Sequence, residues 1–361
     1  MAAPTPRPGI LDIKPYVPGS SAAPGVETVY KLSSNESALG ASPAAIDAYA
    51  KAKDELFLYP DGACTELREK IGETYGLDPA RIVCGAGSDE LLQLLTKAYA
   101  GVGDNVVQSD HGFLVYALAA MSCGAEVRFA PEKNLTCDVD AMLEQVDERT
   151  RILFVANPNN PTGTYIPESE IRRLRENLRD DVLLVIDAAY AEYMEAPDYG
   201  DGAAIVDEGE NTVMTRTFSK IYGLAALRLG WAYCPPAIAG VLNRIRGPFN
   251  VTEAAQVAGI AALGDQEFVT KNRDFNRKER EIVAQRLGGL GVECAPAHGN
   301  FILFRAPDGN ADALQAYLRK GGVIVREMGA YKLGEWLRVS IGTSAGNRKF
   351  LDLMESRLSD G

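Results

Sequence analysis

The feature that most constrains this chain is an alternation between two hydrophobic periods, which begins at Arg81 and continues to Lys220. Short apolar, β-branched runs (RIVCG, NVVQ, AEVRFA, RILFVAN and DVLLVID) alternate with stretches of helical spacing such as DELLQLLTKAYA and FLVYALAAM. Strands and helices that alternate in this way make a mostly parallel sheet, because parallel neighbours need a crossover long enough to hold a helix. The helices then cover both faces. The expected fold class is therefore α/β.

The flanks read differently. The first 40 residues are rich in Pro, Gly and Ser, after which Ser42 and Pro43 supply an N-cap and a first-turn proline for a helix through AAIDAYAKAKDEL. Beyond about Pro248 a long charged helical stretch, EFVTKNRDFNRKEREIVAQRL, precedes the strands NFILFR, GVIVRE and LRVSIG, with the helix ADALQAYLRKG among them. This predicts a large domain over 46–254 and a smaller α+β domain over 255–361, joined by the N-terminal arm, 1–45.

Charge excludes some partners. Against 37 Lys and Arg stand 49 Asp and Glu, a net charge of −12 with no basic block to compensate locally. Such a field repels phosphate backbones and anionic lipid, so neither nucleic acid nor a membrane is an expected partner. No apolar run is long enough to span a bilayer and prolines interrupt the start, which points to a cytoplasmic protein. The six cysteines contain no CxxC and only His111 and His298 could join them, so no metal site is expected.

Three of the apolar runs end in polar groups. RILFVAN leads into NPNNPTG, DVLLVID ends at Asp187, and NTVMTRTFSK ends at Lys220. In parallel α/β sheets ligands bind beyond the carboxyl ends of the strands, which makes Asn160, Asp187 and Lys220 candidates for a single site. A lysine that is desolvated or flanked by cations is a nucleophile at neutral pH and can capture an aldehyde cofactor; alone, it also reads as an ordinary surface lysine. Asp187 follows a run too apolar for a surface strand, and a carboxylate so placed needs a partner. A protonated pyridine nitrogen is one such partner, and an N-cap or an internal ion pair is the ordinary alternative.

In IVCGAGSDELLQLL a strand meets a glycine-rich turn and then an amphipathic helix, so the amides near Ser88 and Asp89 face whatever anion binds there. A dinucleotide fingerprint would need a third glycine where Glu90 stands, and no P-loop lysine follows. Arg228, eight residues beyond Lys220, and the hydroxyls of Thr217 and Ser219 complete a candidate phosphate cup.

With NPNNPTG, DAAYAEY, TFSKIYGLAALRLGW, GAGSDE, YPDG and LRVSIGT, the chain from about Tyr16 to Arg348 resembles the fold-type I aminotransferases, and among them the histidinol-phosphate aminotransferase branch. The resemblance implies pyridoxal 5′-phosphate as cofactor, carried on Lys220, which also shuttles the proton. It implies Asp187 on the ring nitrogen and Asn160 and Tyr190 on the phenolic oxygen. Ser88, Asp89, Thr217, Ser219 and Arg228 would surround the phosphate. Tyr59 of YPDG would reach the site of a neighbouring subunit, so the expected protein partner is a second copy of the chain.

Where the family commonly has P-T-Y-x-x-Y, this chain reads HGFLVY from His111 to Tyr116. Phe113 is then the ring expected to stack on the pyridine, since it keeps the flat apolar face and loses only the hydroxyl. His111 is expected to be structural. Arg338, assisted by Arg326 and Tyr16, is the implied grip on the substrate's carboxylate or phosphate, because a guanidinium suits either. Arg326 taken alone also reads as a surface ion pair with Glu327 or Glu335. KLSSNESALGASP resembles the family's active-site flap, with Ser37 and Ala38 in place of the usual Asn-Pro, and Asn35 within it is an expected substrate contact.

The implied reaction is a ping-pong exchange between an amino donor and a 2-oxo acid: L-histidinol phosphate and 2-oxoglutarate give imidazole-acetol phosphate and L-glutamate, a step of histidine biosynthesis. The HGFLVY departure keeps an aromatic or dual-specificity aminotransferase open as the nearest alternative. A decarboxylase using the same cofactor residues is more distant. So is a ligand sensor, which would need a basic DNA-binding module that is not seen ahead of Tyr16.

Overall fold

The computed structural model describes residues 4–7, 9–15 and 25–359. Tyr16, an expected substrate contact, lies outside the described residues. A seven-stranded sheet organises the chain, in the order Ile82–Gly85, Gly230–Tyr233, Thr212–Thr217, Leu183–Asp187, Thr150–Ala156, Asn105–Ser109, Glu126–Ala130. Four of its six pairings are parallel, and Gly230–Tyr233 runs antiparallel to both its neighbours. The expected α/β class holds. Only Gly230–Tyr233 had no signal of its own, because four residues are too few to establish a period.

Side-chain alternation decides which helix covers which face. Val106, Ile152, Phe154, Val185 and Val213 enter one apolar layer with Leu91, Leu92 and Leu95 of helix Ser88–Tyr99. Their chain neighbours Val107, Leu153, Val155 and Leu184 point the other way, onto Ile171 and Leu174 of helix Glu168–Asn177. Met214 and Trp231 meet Leu67 and Ile71 of helix Thr65–Tyr75. Full burial of each such side chain contributes about 1.5–3 kcal/mol, so the strands are pinned from both sides and their carboxyl ends form a rigid rim.

A separate antiparallel sheet of Phe301–Arg305, Trp336–Ser340 and Arg326–Glu327 packs with helices Ala311–Lys320 and Ser344–Ser359. Its core takes in Leu32 from the N-terminal side, where Tyr30–Lys31 pairs in parallel with Val323–Ile324. GVIVRE, expected to be one strand, is therefore two: 323–324 belong to one ladder and 326–327 to another. Val323, Ile324 and Val325 are all buried, so no alternation in the sequence marks where the chain changes sheets. As expected, Ser42 caps helix Pro43–Lys51 by accepting from the Ala45 amide. No helix among the described residues is long and apolar enough to cross a membrane.

Candidate active site

Register brings the candidate residues together at the carboxyl rim. Across the sheet, Ala156 pairs with Asp187 and Asp187 with Thr215, while Gly230 pairs with both Thr217 and Gly85. The polar ends of three strands thus stand beside the glycine-rich turn that follows the fourth. Over this rim lies a cavity of about 250 Å³, to which Lys220, Asp187, Asn160, Tyr190, Arg338 and Arg326 all contribute. Ser88, Asp89, Phe113, Thr217, Ser219, Arg228 and Asn35 also face it.

Asp187 is buried, and its two carboxylate oxygens accept from the hydroxyls of Tyr116 (2.7 Å) and Thr215 (3.3 Å). Burial outweighs these bonds and raises its pKa to about 6. An anion held dry with neutral donors alone is poised for a cationic partner entering the cavity. Tyr116 was quoted in the sequence only as the end of HGFLVY; its contact with Asp187 spans 71 residues and leaves no local signal. Thr215 was likewise missed.

Lys220 follows the strand Thr212–Thr217 and forms no ion pair among the described residues. Desolvation, with the Arg338 charge next in size, lowers its pKa to about 8. Near pH 7 about a tenth of such an amine is neutral, several hundred times the neutral fraction of an ordinary lysine. Its ammonium nitrogen lies 5.7 Å from the centre of the Tyr190 ring.

The residues expected to form a phosphate cup lie together at the start of helix Ser88–Tyr99. Gly87, at φ 84°, precedes helix Ser88–Tyr99, and a Cβ there would stand 2.6 Å from the Arg228 guanidinium. A Cβ at Gly230 would meet the Ser88 amide at 2.2 Å, so both glycines are required for close approach. Arg228 itself adopts φ 53°, a conformation rare outside glycine and typical of functional sites. Its guanidinium donates to Ser219 (3.3 Å) and to Asp89 (3.2 Å).

At the opposite wall, Arg338 donates to Asn160 Oδ1 at 2.5 Å and to the Ser33 carbonyl at 3.1 Å. Asn35, at φ 58° and buried, donates to the Tyr190 hydroxyl at 2.9 Å and accepts from Ser340 at 2.9 Å. Both ends of its amide are engaged, which ties the flap to strand Trp336–Ser340. Asn300 secures the same flap by donating to the carbonyls of Asn35 and Glu36. Tyr331 also faces the cavity and was not foreseen.

Two other candidate residues stand outside the lining of the cavity. His111 sits 2.8 Å from Glu132, and its carbonyl accepts from Asn159, so it fastens its loop to the NPNNPTG loop. Tyr59 is 82% exposed and stacks on Phe249, away from this chain's own cavity.

The aromatic side chain of Phe113, a buried carboxylate, a guanidinium beside a helix N-terminus and a desolvated amine, all lining one cavity, fit a phosphorylated pyridine aldehyde. The family model for aminotransferase class I and II matches residues 27–353. The chain belongs to this aminotransferase family. Among its relatives, the Rhodospirillum centenum protein named histidinol-phosphate aminotransferase is 52% identical over 98% of this chain and 98% of its own. A Rhodospirillum rubrum protein of the same name is 55% identical over 94% of this chain and 93% of its own. Among solved structures, histidinol-phosphate aminotransferase from Sinorhizobium meliloti in complex with pyridoxal-5′-phosphate superposes with a TM-score of 0.88 at 25% identity, covering 92% of each chain. As an aminotransferase, the chain needs a site that passes a proton and holds two anionic substrates in turn.

Proposed function

We propose that this aminotransferase transfers the amino group of L-histidinol phosphate to 2-oxoglutarate, with pyridoxal 5′-phosphate carried on Lys220. The carrying observation is that Lys220 and Asp187 share one cavity, where burial favours the neutral, nucleophilic form of the lysine and makes the aspartate's charge costly until a cation pairs with it. The relatives that match nearly the whole chain bear the name of this activity.

When bound, the cofactor supplies an electron sink for charge that develops at the substrate α-carbon. Asp187 gives the ring nitrogen an anionic partner, and Tyr116 and Thr215 hold that carboxylate in place. Asn160 and Tyr190 would hydrogen-bond the ring's phenolic oxygen, and Phe113 would stack on the ring. Lys220, with a substantial neutral fraction, accepts the proton lost from the α-carbon and returns it. Arg338, with Arg326, grips the substrate's anionic group. A bidentate guanidinium accepts carboxylate and phosphate alike, which suits a site that must take both substrates.

The active form in this proposal is a homodimer, with Tyr59 entering the partner's site. Leu56, Phe57, Leu58 and Tyr59 are 75, 83, 56 and 82% exposed, a consecutive apolar run that water disfavours and a second copy would cover. We also propose the division into a large unit (46–254) and a smaller one (1–45 with 255–361), supported by the separate core around Phe304, Leu337 and Phe350. Helix Glu253–Gly264 packs its alanines into the core of the first unit, so that unit's packing extends beyond residue 254 to the end of this helix. The reaction is placed in the cytoplasm.

The test compares kcat/KM for histidinol phosphate and phenylalanine, each with 2-oxoglutarate. A preference for histidinol phosphate of about 100-fold or more upholds the proposal. Equal use of phenylalanine would replace it with the aromatic or dual-specificity reading.

A further inference from the structure

Glu90 stands where a dinucleotide-binding turn would have its third glycine, and its side chain turns back on the chain. Its Oε2 accepts from the Ala86 amide at 2.6 Å and from Asn250 Nδ2 at 2.7 Å. Ala86 lies between the two glycines of the phosphate turn, so the carboxylate fixes the turn that presents Ser88 and Asp89. A carboxylate in the first turn suits the helix dipole. Beside a bound phosphate, however, its charge is repulsive, so what Glu90 contributes there is geometry.

Asn250 continues the connection outward. Its Oδ1 accepts from Arg246 at 2.9 Å, and Arg246 also donates to the Gly62 carbonyl at 2.7 Å, three residues beyond Tyr59. The adjacent Phe249, at φ 54°, stacks on Tyr59 with ring centres 4.6 Å apart and packs on Gly62, where a Cβ would stand 3.3 Å from its ring. An unbroken set of contacts therefore runs from the exposed arm through Phe249 and Asn250 to Glu90 and the phosphate turn.

We infer that Glu90 and Asn250 are positioning residues that couple the arm's subunit contact to the phosphate cup, so that dimer assembly and cofactor affinity strengthen each other. The inference rests on the proposed cofactor and dimer. A second subunit that immobilises the arm holds Asn250 against Glu90, which holds the turn; by linkage, a phosphate that fixes the turn favours the assembled arm to the same degree.

The test uses the full-length protein as wild type, Glu90→Ala, Glu90→Gln, Asn250→Ala and the double alanine variant. Equilibrium dialysis gives the pyridoxal 5′-phosphate dissociation constant, and sedimentation gives the dimer constant with and without the cofactor. Each single alanine variant is expected to bind the cofactor about tenfold more weakly, and the double variant no worse than the weaker single. Glu90→Gln keeps an acceptor for the Ala86 amide and should stay within about twofold of wild type. The cofactor should tighten the wild-type dimer more than the alanine variants' dimers, in which only the direct contact of Tyr59 with the partner's site remains.

Additive losses, a wild-type constant in Glu90→Ala, or a glutamine variant as weak as the alanine one would overturn the inference. If Asn250→Ala does not fold, the alanine and glutamine variants of Glu90 decide alone, because they differ in the acceptor. Arg228→Ala separates the two layers of argument. Wild-type cofactor binding in that variant would refute the phosphate cup itself; loss there with none in Glu90→Ala would refute only the coupling.

Discussion

The cavity at the carboxyl rim and the arm from Leu56 to Tyr59 come from one chain and obey opposite rules. In the cavity, ionisable groups are buried: Asp187 and Lys220 are held away from water, and their pKa values move toward neutrality. On the arm, apolar groups are exposed: four in a row face outward with little beneath them. Each arrangement is costly in an isolated chain, and each becomes favourable when something arrives. For the cavity that is a small molecule with a cationic ring and an anionic tail; for the arm, in the proposed dimer, it is a second copy of the chain. In the proposed dimer, the chain assembles its reactive groups by itself and leaves the enclosure of the site to assembly.

The sharpest way to break this contrast is Lys220→Ala. If the buried amine is the reactive group, turnover falls by about four orders of magnitude while the dimer persists, as steady-state assay and sedimentation would show. Retained turnover would remove the distinction between the two regions. Asp187→Asn comes next. It keeps the size and an acceptor for Tyr116, and removes the charge, so kcat should fall by about 10²–10³.

The same variant should stabilise the cofactor-free protein. The carboxylate's pKa is raised from 3.8 to about 6, so its ionised form costs the fold about 3 kcal/mol at neutral pH. Below about pH 4 the group is protonated folded or unfolded, and the cost vanishes. The melting-temperature advantage of Asp187→Asn should therefore be full above pH 6 and shrink as pH falls toward 4. An advantage independent of pH would mean that burial of charge is not its source.

Lys220, whose pKa shifts the other way, gives a pH dependence of rate. The amine must be neutral to attack, and its pKa is lowered to about 8. The rate at which cofactor-free protein takes up pyridoxal 5′-phosphate should rise about 50-fold from pH 6 to 8 and then level off. A rate still climbing tenfold per unit at pH 9 would show an ordinary, solvated lysine.

How much of this was legible in the sequence depended on how far apart the interacting residues lie. Lys220, Arg228 and Ser219 fall within one short motif whose glycines and apolar flanks already imply a strand end. Asp187 could be recognised because the run before it is too apolar to tolerate an unpaired charge. The donors to Asp187 were not legible: Tyr116 and Thr215 meet it only after strands and helices have packed. The same holds for Asn35, whose bonds to Tyr190 and Ser340 join residues 155 and 305 positions away. In GVIVRE the failure was of another kind, since continuous burial removes the alternation that would mark a change of sheet.

The smallest effect is expected on the arm, where it is also the most discriminating. Tyr59 is 82% exposed and its one ring contact among the described residues is Phe249, so Tyr59→Ala should leave the melting of the separated chain within about 0.5 kcal/mol of wild type. In the dimer it should weaken cofactor retention about tenfold, because the ring and its hydroxyl are withdrawn from the partner's site. Tyr59→Phe divides that loss: it keeps the stack on Phe249 and removes only the hydroxyl, so a three- to fivefold effect assigns that share to a hydrogen bond across the interface. If both variants retain the cofactor as well as wild type, the arm is only an interface, and the cavity at the rim is complete without it.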